Sequence, residues 1–122
     1  MHISQESTDR NTVQAYSESA IQIRSHSYTH SLIVNTVDEP IAWAIDSLAS
    51  LDVAGLAPLL ESGPEIIIIG HQTPGKFAPL ETREHLSQQR IGLESMSIGA
   101  ACRTFNVLLS EGRKVVLGVI LG

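Results

Sequence analysis

The chain of 122 residues contains one cysteine, Cys102, so it forms no internal disulfide and no cysteine-based zinc site. It has no apolar run near the ~20 residues of a membrane span. The longest runs are Ile66–Ile69 and Val115–Leu121. Bases are few: eight Lys and Arg against thirteen Asp and Glu, for a net charge of -5. That argues against a general nucleic-acid binder, which needs a basic face. No apolar stretch follows the start, so a secretory signal is not expected. Arg10 is the only strong base before Arg24, which is poor for a transit peptide. A cytoplasmic protein is the expectation. No Gly-x-Ser-x-Gly elbow marks a nucleophile, and there are no repeats or linkers.

What remains is ordinary globular composition, with 43% hydrophobic and 17% charged residues. The length corresponds to one domain with a real core. Met1–Asn11 lacks apolar periodicity and is expected to be a flexible end, leaving residues 12–122 as the domain. Alternating residues then predict half-buried strands near Val13–Tyr16, Ile21–Arg24, Ser27–Asn35 and Ile41–Ile45. Asp38-Glu39-Pro40 turns the chain before the last of these. Trp43 is expected to anchor a core or an edge.

Beyond Ser50 the pattern changes. Leu51–Leu60 predicts a short helix closed by Ser62-Gly63-Pro64. Four consecutive isoleucines, Ile66–Ile69, are β-branched, bounded by turn residues and too short for a helix. They predict a central strand buried on both faces, as in parallel sheets. Leu80–Arg90 predicts a polar helix with Leu80 and Leu86 inward. Ile91–Met96 predicts a short strand, Ile98–Leu109 an amphipathic helix, and Lys114–Leu121 a closing strand. A β-rich first third followed by αβ alternation implies an α/β sheet with an antiparallel layer added beside it.

Gly70-His71-Gln72-Thr73-Pro74-Gly75-Lys76-Phe77 fits the first seven positions of a phosphate-binding P-loop. The eighth, which should be a hydroxyl that holds Mg²⁺, is Phe77. Pro79 also delays the following helix, so the match reads as accidental. The bland alternative is a loop with Lys76 solvated and Phe77 packed. A weaker functional reading keeps the loop at the carboxyl end of a parallel strand, where α/β folds place ligands, with His71 and Lys76 holding a small anion. Cys102 falls on the apolar helix face, where a thiol is buried and inert. Arg103 points from another face. Gly99 in that helix implies a close approach, since glycine weakens a helix interior. Thr104 and Asn106 leave the apolar face and call for partners. The Gly70 loop and the Gly99–Asn106 turn are candidates to line one crevice. His26 and His30 lie too far apart in an extended strand to share an ion.

Several of these segments together resemble the Mth938-like family. They are Pro64–Gly70, Lys76-Phe77, Ile91–Met96 and, most specifically, Gly99-Ala100-Ala101-Cys102-Arg103-Thr104-Phe105-Asn106 with Glu111 and Arg113. That family includes a mitochondrial assembly factor of respiratory complex I. The resemblance implies a three-layer α/β domain: a mixed central sheet, helices on one side and a small additional antiparallel β layer. It implies no established activity, metal or cofactor. Its relatives act by binding other proteins, so the expected partners are proteins, and self-association is compatible with the sequence. The function expected first is a non-enzymatic binding or assembly module. The alternative is a small enzyme, sensor or anion binder that uses Gly70, His71, Lys76, Cys102, Arg103 and Asn106.

Overall fold

The structure is a computed structural model, and it describes residues 10–121. The expected flexible end falls for the most part on residues 1–9, outside the described residues. At Asn11 the chain is already anchored. The Asn11 amide is fully buried and donates to the Asn35 and Asp38 carbonyl oxygens, both at 2.8 Å. Arg24 Nε donates to its Oδ1 at 2.8 Å.

The first three strands, β1 (Val13–Tyr16), β2 (Ile21–Ile23) and β3 (His26–Tyr28), form an antiparallel sheet in sequence order. Arg24 and Ser25 join β2 to β3, both with positive φ, at 55° and 65°. Positive φ at both central residues is the mark of a type I′ hairpin turn. Arg24 steadies it by donating from Nη2 to the Val37 carbonyl at 2.7 Å.

The predicted strand Ser27–Asn35 is two strands in different sheets. β4 (Leu32–Val34) belongs to a second, five-stranded sheet. The break is tertiary in origin. Ser31 Oγ accepts from the Leu121 amide at 2.9 Å, and the Ser31 carbonyl accepts from Trp43 N at 2.9 Å. These bonds pull the chain out of the first sheet. For the same reason His26 and His30 do not share a strand. β5 (Ile41–Ala42) is shorter than predicted: the ladder with β4 makes its last bond from Trp43 N to the Ser31 carbonyl, and the chain then turns, with Ile45 N donating to the Trp43 carbonyl at 3.0 Å. Trp43 is buried, as expected of an anchor. The predicted helix Leu51–Leu60 is only one turn of α1 (Ala57–Leu60), preceded by 3₁₀ turns at Leu48–Ser50 and Ala54–Leu56. Asp52 accepts from Gly55 N at 2.7 Å and starts the second turn.

The remaining elements are β6 (Ile66–His71), α2 (Leu80–Gln88), β7 (Gly92–Ser97), α3 (Ile98–Ser110) and β8 (Val115–Val119). The large sheet runs β5-β4-β8-β6-β7. β6 pairs in parallel with both β7 and β8, while β4 runs antiparallel to β8 and β5. The expected mixed central sheet and small antiparallel layer are therefore present, and the isoleucine strand is central.

Alternation along that strand feeds two cores. Ile68 packs with Phe105, Cys102 and Ala101 of α3, with Leu117 and Val119 of β8, and with Val13, Ile21 and Ile23 of the small sheet. Ile67 and Ile69 face the other way, with Trp43, Leu56, Leu59 and Leu86. So α3 shares one face with the small β layer, and the short helices α1 and α2 cover the other. In α2, Leu86 is buried as expected but Leu80 is 58% exposed. Leu80 is the first residue of the helix, and Thr82 takes the inward place, its hydroxyl donating to the Leu51 carbonyl at 2.6 Å.

Candidate functional site

The carboxyl ends of β6 and β7 and the start of α3 meet at one edge of the large sheet. β7 passes into α3 without an intervening loop, and Ser97 is both the last strand residue and the helix N-cap. Its Oγ accepts from Ala100 N at 3.3 Å. That leaves the Gly99 amide in the first turn without an intrahelical acceptor, while the Ile98 amide continues the β6–β7 ladder, whose last pair is His71 and Ser97. In the parallel register His71 lies beside Ser97 and Gly70 beside Met96.

Two glycines bring the walls together. A Cβ on Gly70 would stand 2.9 Å from the Ala101 Cβ and 3.2 Å from the Ile98 Cα, so α3 lies directly on β6. A Cβ on Gly99 would stand 2.9 Å from Tyr16 Cε1. The close approach expected at Gly99 is therefore to the end of β1. Arg103 Nη1 donates to the Tyr16 hydroxyl at 2.6 Å, with its guanidinium carbon 5.9 Å from the ring centroid. Gln72 Nε2 donates to the Glu18 carbonyl at 2.9 Å and ties the loop after β6 to the small sheet.

These contacts enclose a cavity of about 630 Å³. Its wall comes from Tyr16–Glu18, from His71 and the loop to Phe77, and from Ser95–Gly99. Of the candidate residues, His71 and Lys76 are on this wall. Gly70 lies behind it as the packing position under α3. Arg103 reaches it only through Tyr16. Cys102 and Asn106 are not brought to it. Cys102 is fully buried, and burial pushes its thiol up to about 12 despite the opposing charge of Arg103. At pH 7 such a thiol is protonated and is a poor nucleophile. The Asn106 amide is engaged elsewhere: its Oδ1 accepts from Val13 N at 2.8 Å and its Nδ2 donates to the Val13 carbonyl at 3.0 Å.

The loop does not behave as a phosphate cradle. The Thr73 amide donates back to His71 Nδ1 at 3.2 Å, and α2 begins only at Leu80. Phe77, which a bland loop would pack, is 66% exposed. Its neighbour Arg83 stands 5.9 Å from the ring centroid, with Nε donating to the Ala78 carbonyl at 2.9 Å. Sequence reasoning missed Tyr16, Ser17 and Glu18, which lie far from the loop along the chain. The small residue at Gly99 was the one trace of them.

His71 is 7% exposed, and burial lowers its pKa from the ordinary histidine value. Its Nδ1 accepts from Thr73, so the neutral ring carries its proton on Nε2. Because the folded protein binds this proton less readily than the unfolded chain, stability is present above pH ~6.5 and is lost as pH falls below it. We expect the urea midpoint of the wild type to drop between pH 7.5 and 5.5 by more than that of His71→Gln. Parallel drops would show that His71 is not the group responsible.

A profile for a protein family of unknown function, DUF498/DUF598, matches residues 13–120. The chain belongs to this family. Its fold is similar to that of a Xanthomonas campestris protein solved by NMR, with a TM-score of 0.83 and 29% identity, covering 98% of this chain and 90% of that one. A Bordetella pertussis protein described as a Mth938-like domain superposes with a TM-score of 0.75 at 25% identity, over 98% of this chain and 90% of that one. The Mth938-like resemblance of the sequence is thus shown in three dimensions. A Francisella tularensis relative called a 13 kDa major membrane protein is 30% identical over 89 residues, 72% of each chain. In this family member no helix of the described residues is long and apolar enough to cross a membrane.

Proposed function

We propose that the chain is a non-enzymatic binding module that holds a protein partner at the cavity formed by β1, the loop after β6 and the start of α3. The observation that carries this reading is Phe77. It is a large aromatic residue left 66% exposed on the rim of a concave wall. Aromatic side chains, Phe included, are enriched at protein interfaces relative to the rest of the surface. Tyr16, 42% exposed, provides a second anchor on the opposite rim. Of the residues named for the enzyme alternative, Cys102 is sealed in the core between α3 and the sheet and Asn106 bonds to Val13, which leaves His71 and Lys76 on the wall. The resemblance to complex I assembly factors supports the same reading.

The test is quantitative capture from an extract of the native host with wild type, Phe77→Ala and Val107→Ala. Val107 is 54% exposed on α3 and lies outside the cavity wall, so it controls for general stickiness. We expect a defined partner to be reduced about tenfold or more with Phe77→Ala, as for a hot-spot residue, and retained with Val107→Ala. Equal capture by all three proteins would refute the assignment of the rim.

A further inference from the structure

β7 is an edge strand of the large sheet, and one side of its backbone has no partner strand among the described residues. The ladder with β6 decides which groups are left over. Gly92 N donates to the Glu65 carbonyl at 3.0 Å, and the parallel register then runs unbroken from Ile66–Gly92 to His71–Ser97. In such a ladder alternate residues turn both backbone groups to the same neighbour. Gly92, Glu94 and Met96 therefore bond to β6. Leu93 and Ser95 turn N–H and C=O outward. Ser97 turns its N–H outward, while its C=O is the first acceptor of α3. The other edges are blunted. β5 has two residues and follows Pro40, and β3 has three residues. β1 shifts register between Val13 and Ala15, and Asn106 takes both backbone groups of Val13. β7 has six residues and none of the lysine, proline or bulge by which proteins keep an edge from pairing. Its single charge is Glu94.

We propose that β7 pairs with β7 of a second copy of this chain, antiparallel about a two-fold axis at Ser95, so that two five-stranded sheets become one of ten strands. A second copy fits because the edge is complementary to itself. Ser95 is the midpoint of the outward residues Leu93, Ser95 and Ser97, so an axis there uses all of them. Ser95 N–H donates to the Ser95 carbonyl of the second copy, and the reverse. Ser97 N–H donates to the Leu93 carbonyl of the second copy, again with its image. The charge selects the same register. Glu94 and Met96 lie on the α3 face, because Glu94 pairs with Ile68, which packs on α3. An axis at Glu94 would set two carboxylates directly opposite one another, which is unfavourable. The axis at Ser95 sets each Glu94 opposite Met96 and leaves the two carboxylates on the diagonal. Gly92 then lies opposite Ile98, where the second copy rises into α3, and its missing side chain leaves room there. Strand pairing alone buries little surface, so the dimer is weak and depends on concentration. The inference does not rest on the cavity as a partner site.

The test is sedimentation and amide exchange of the full chain between about 10 μM and about 1 mM. We expect the mass to rise from 13.2 kDa towards about twice that. Over the same range the Leu93, Ser95 and Ser97 amides should slow by about tenfold where nine chains in ten are paired, because they exchange from the monomer. Glu94 and Met96, already bonded to β6, should be slow throughout. Ser95→Pro removes an outward donor and spares the β6 ladder, so it should remain monomeric with its fold intact. Ser95→Cys supplies a check that does not need the proline variant to fold. Its two thiols should join on mild oxidation, since a hydrogen-bonded antiparallel pair stands about 5.5 Å apart between Cα atoms. Glu94→Cys, which lies off the axis, should join at least about tenfold more slowly. Cys102 is buried, so the wild type should not join. Phe77→Ala should dimerise as the wild type does. A monomer at every concentration overturns the proposal. So does a dimer whose Leu93, Ser95 and Ser97 amides stay fast, a folded Ser95→Pro that still dimerises, faster joining of Glu94→Cys than of Ser95→Cys, or loss of the dimer in Phe77→Ala.

Discussion

Asn106→Ala is expected to destabilise the protein by about 2–6 kcal/mol and to loosen the small sheet before the large one. The expectation follows from what the amide does. It accepts from the Val13 N–H and donates to the Val13 carbonyl, so one side chain completes both backbone groups of one residue. Val13 is 5% exposed, so water does not readily replace either bond. Each buried group left unsatisfied costs about 1–3 kcal/mol, and the substitution leaves two. Aspartate at this position would restore the acceptor only, and would set a charge against the Val13 carbonyl. Leucine would fill the volume and satisfy neither group. Amide exchange tells a local effect from a global one. Val13–Tyr28 should lose protection in Asn106→Ala well before Ile66–Ile69 does. Uniform loss along the chain would show that β1 is not held independently by this residue. A ligand role for Asn106 would instead predict nearly unchanged stability.

The same pairing shows why some of the structure was legible in the sequence and some was not. Ile66–Ile69 is a one-dimensional signal, a β-branched run between turn residues, and only a strand covered on both faces satisfies it. The apolar stripe of α3 is equally local: Ile98, Ala101, Cys102, Phe105 and Leu109 recur at helical spacing and are all buried. The break after Tyr28 carries no such mark. There is no glycine or proline between Ser27 and Asn35, and the chain changes sheets because Ser31 bonds to Leu121 and Trp43, residues distant in sequence. The hairpin turn at Arg24-Ser25 was hidden for a related reason. It lacks the Asn-Gly signature of its type, and Asn11 and Val37 hold Arg24 there instead. The candidate site divides along the same line. His71 and Lys76 were found through their place after a parallel strand. Tyr16, Ser17 and Glu18 lie at the end of β1 and just after it, and contacts with α3 and with Gln72 bring them to the cavity. Asn106 was correctly expected to need partners, and those partners are backbone groups of β1.

Phe105→Ala is expected to cost about 3–5 kcal/mol, the usual range for emptying a buried aromatic position. Phe105 is fully buried, and its core joins three parts of the fold: β1 and β2 of the small sheet, α3, and the inner face of β6 and β8. Deleting the ring removes the transfer energy of its apolar surface and leaves a void that surrounding side chains, already on β-sheet backbones, are poorly placed to fill. Against a total stability of about 5–15 kcal/mol for a domain of this kind, the loss is a large share. Thermal unfolding should move down by roughly 10–20 °C. Phe105→Leu, which keeps most of the volume, should recover more than half of the difference. The comparison also reports on the cavity. Ile98 is in the same core and on the cavity wall at once. A packing defect at Phe105 should therefore reach the cavity wall at the start of α3 through the helix itself. Weaker binding at the cavity in Phe105→Leu, with the protein still folded, would show that the core sets the geometry of the site. Unchanged binding would show that the loop after β6 and the end of β1 hold the cavity without it.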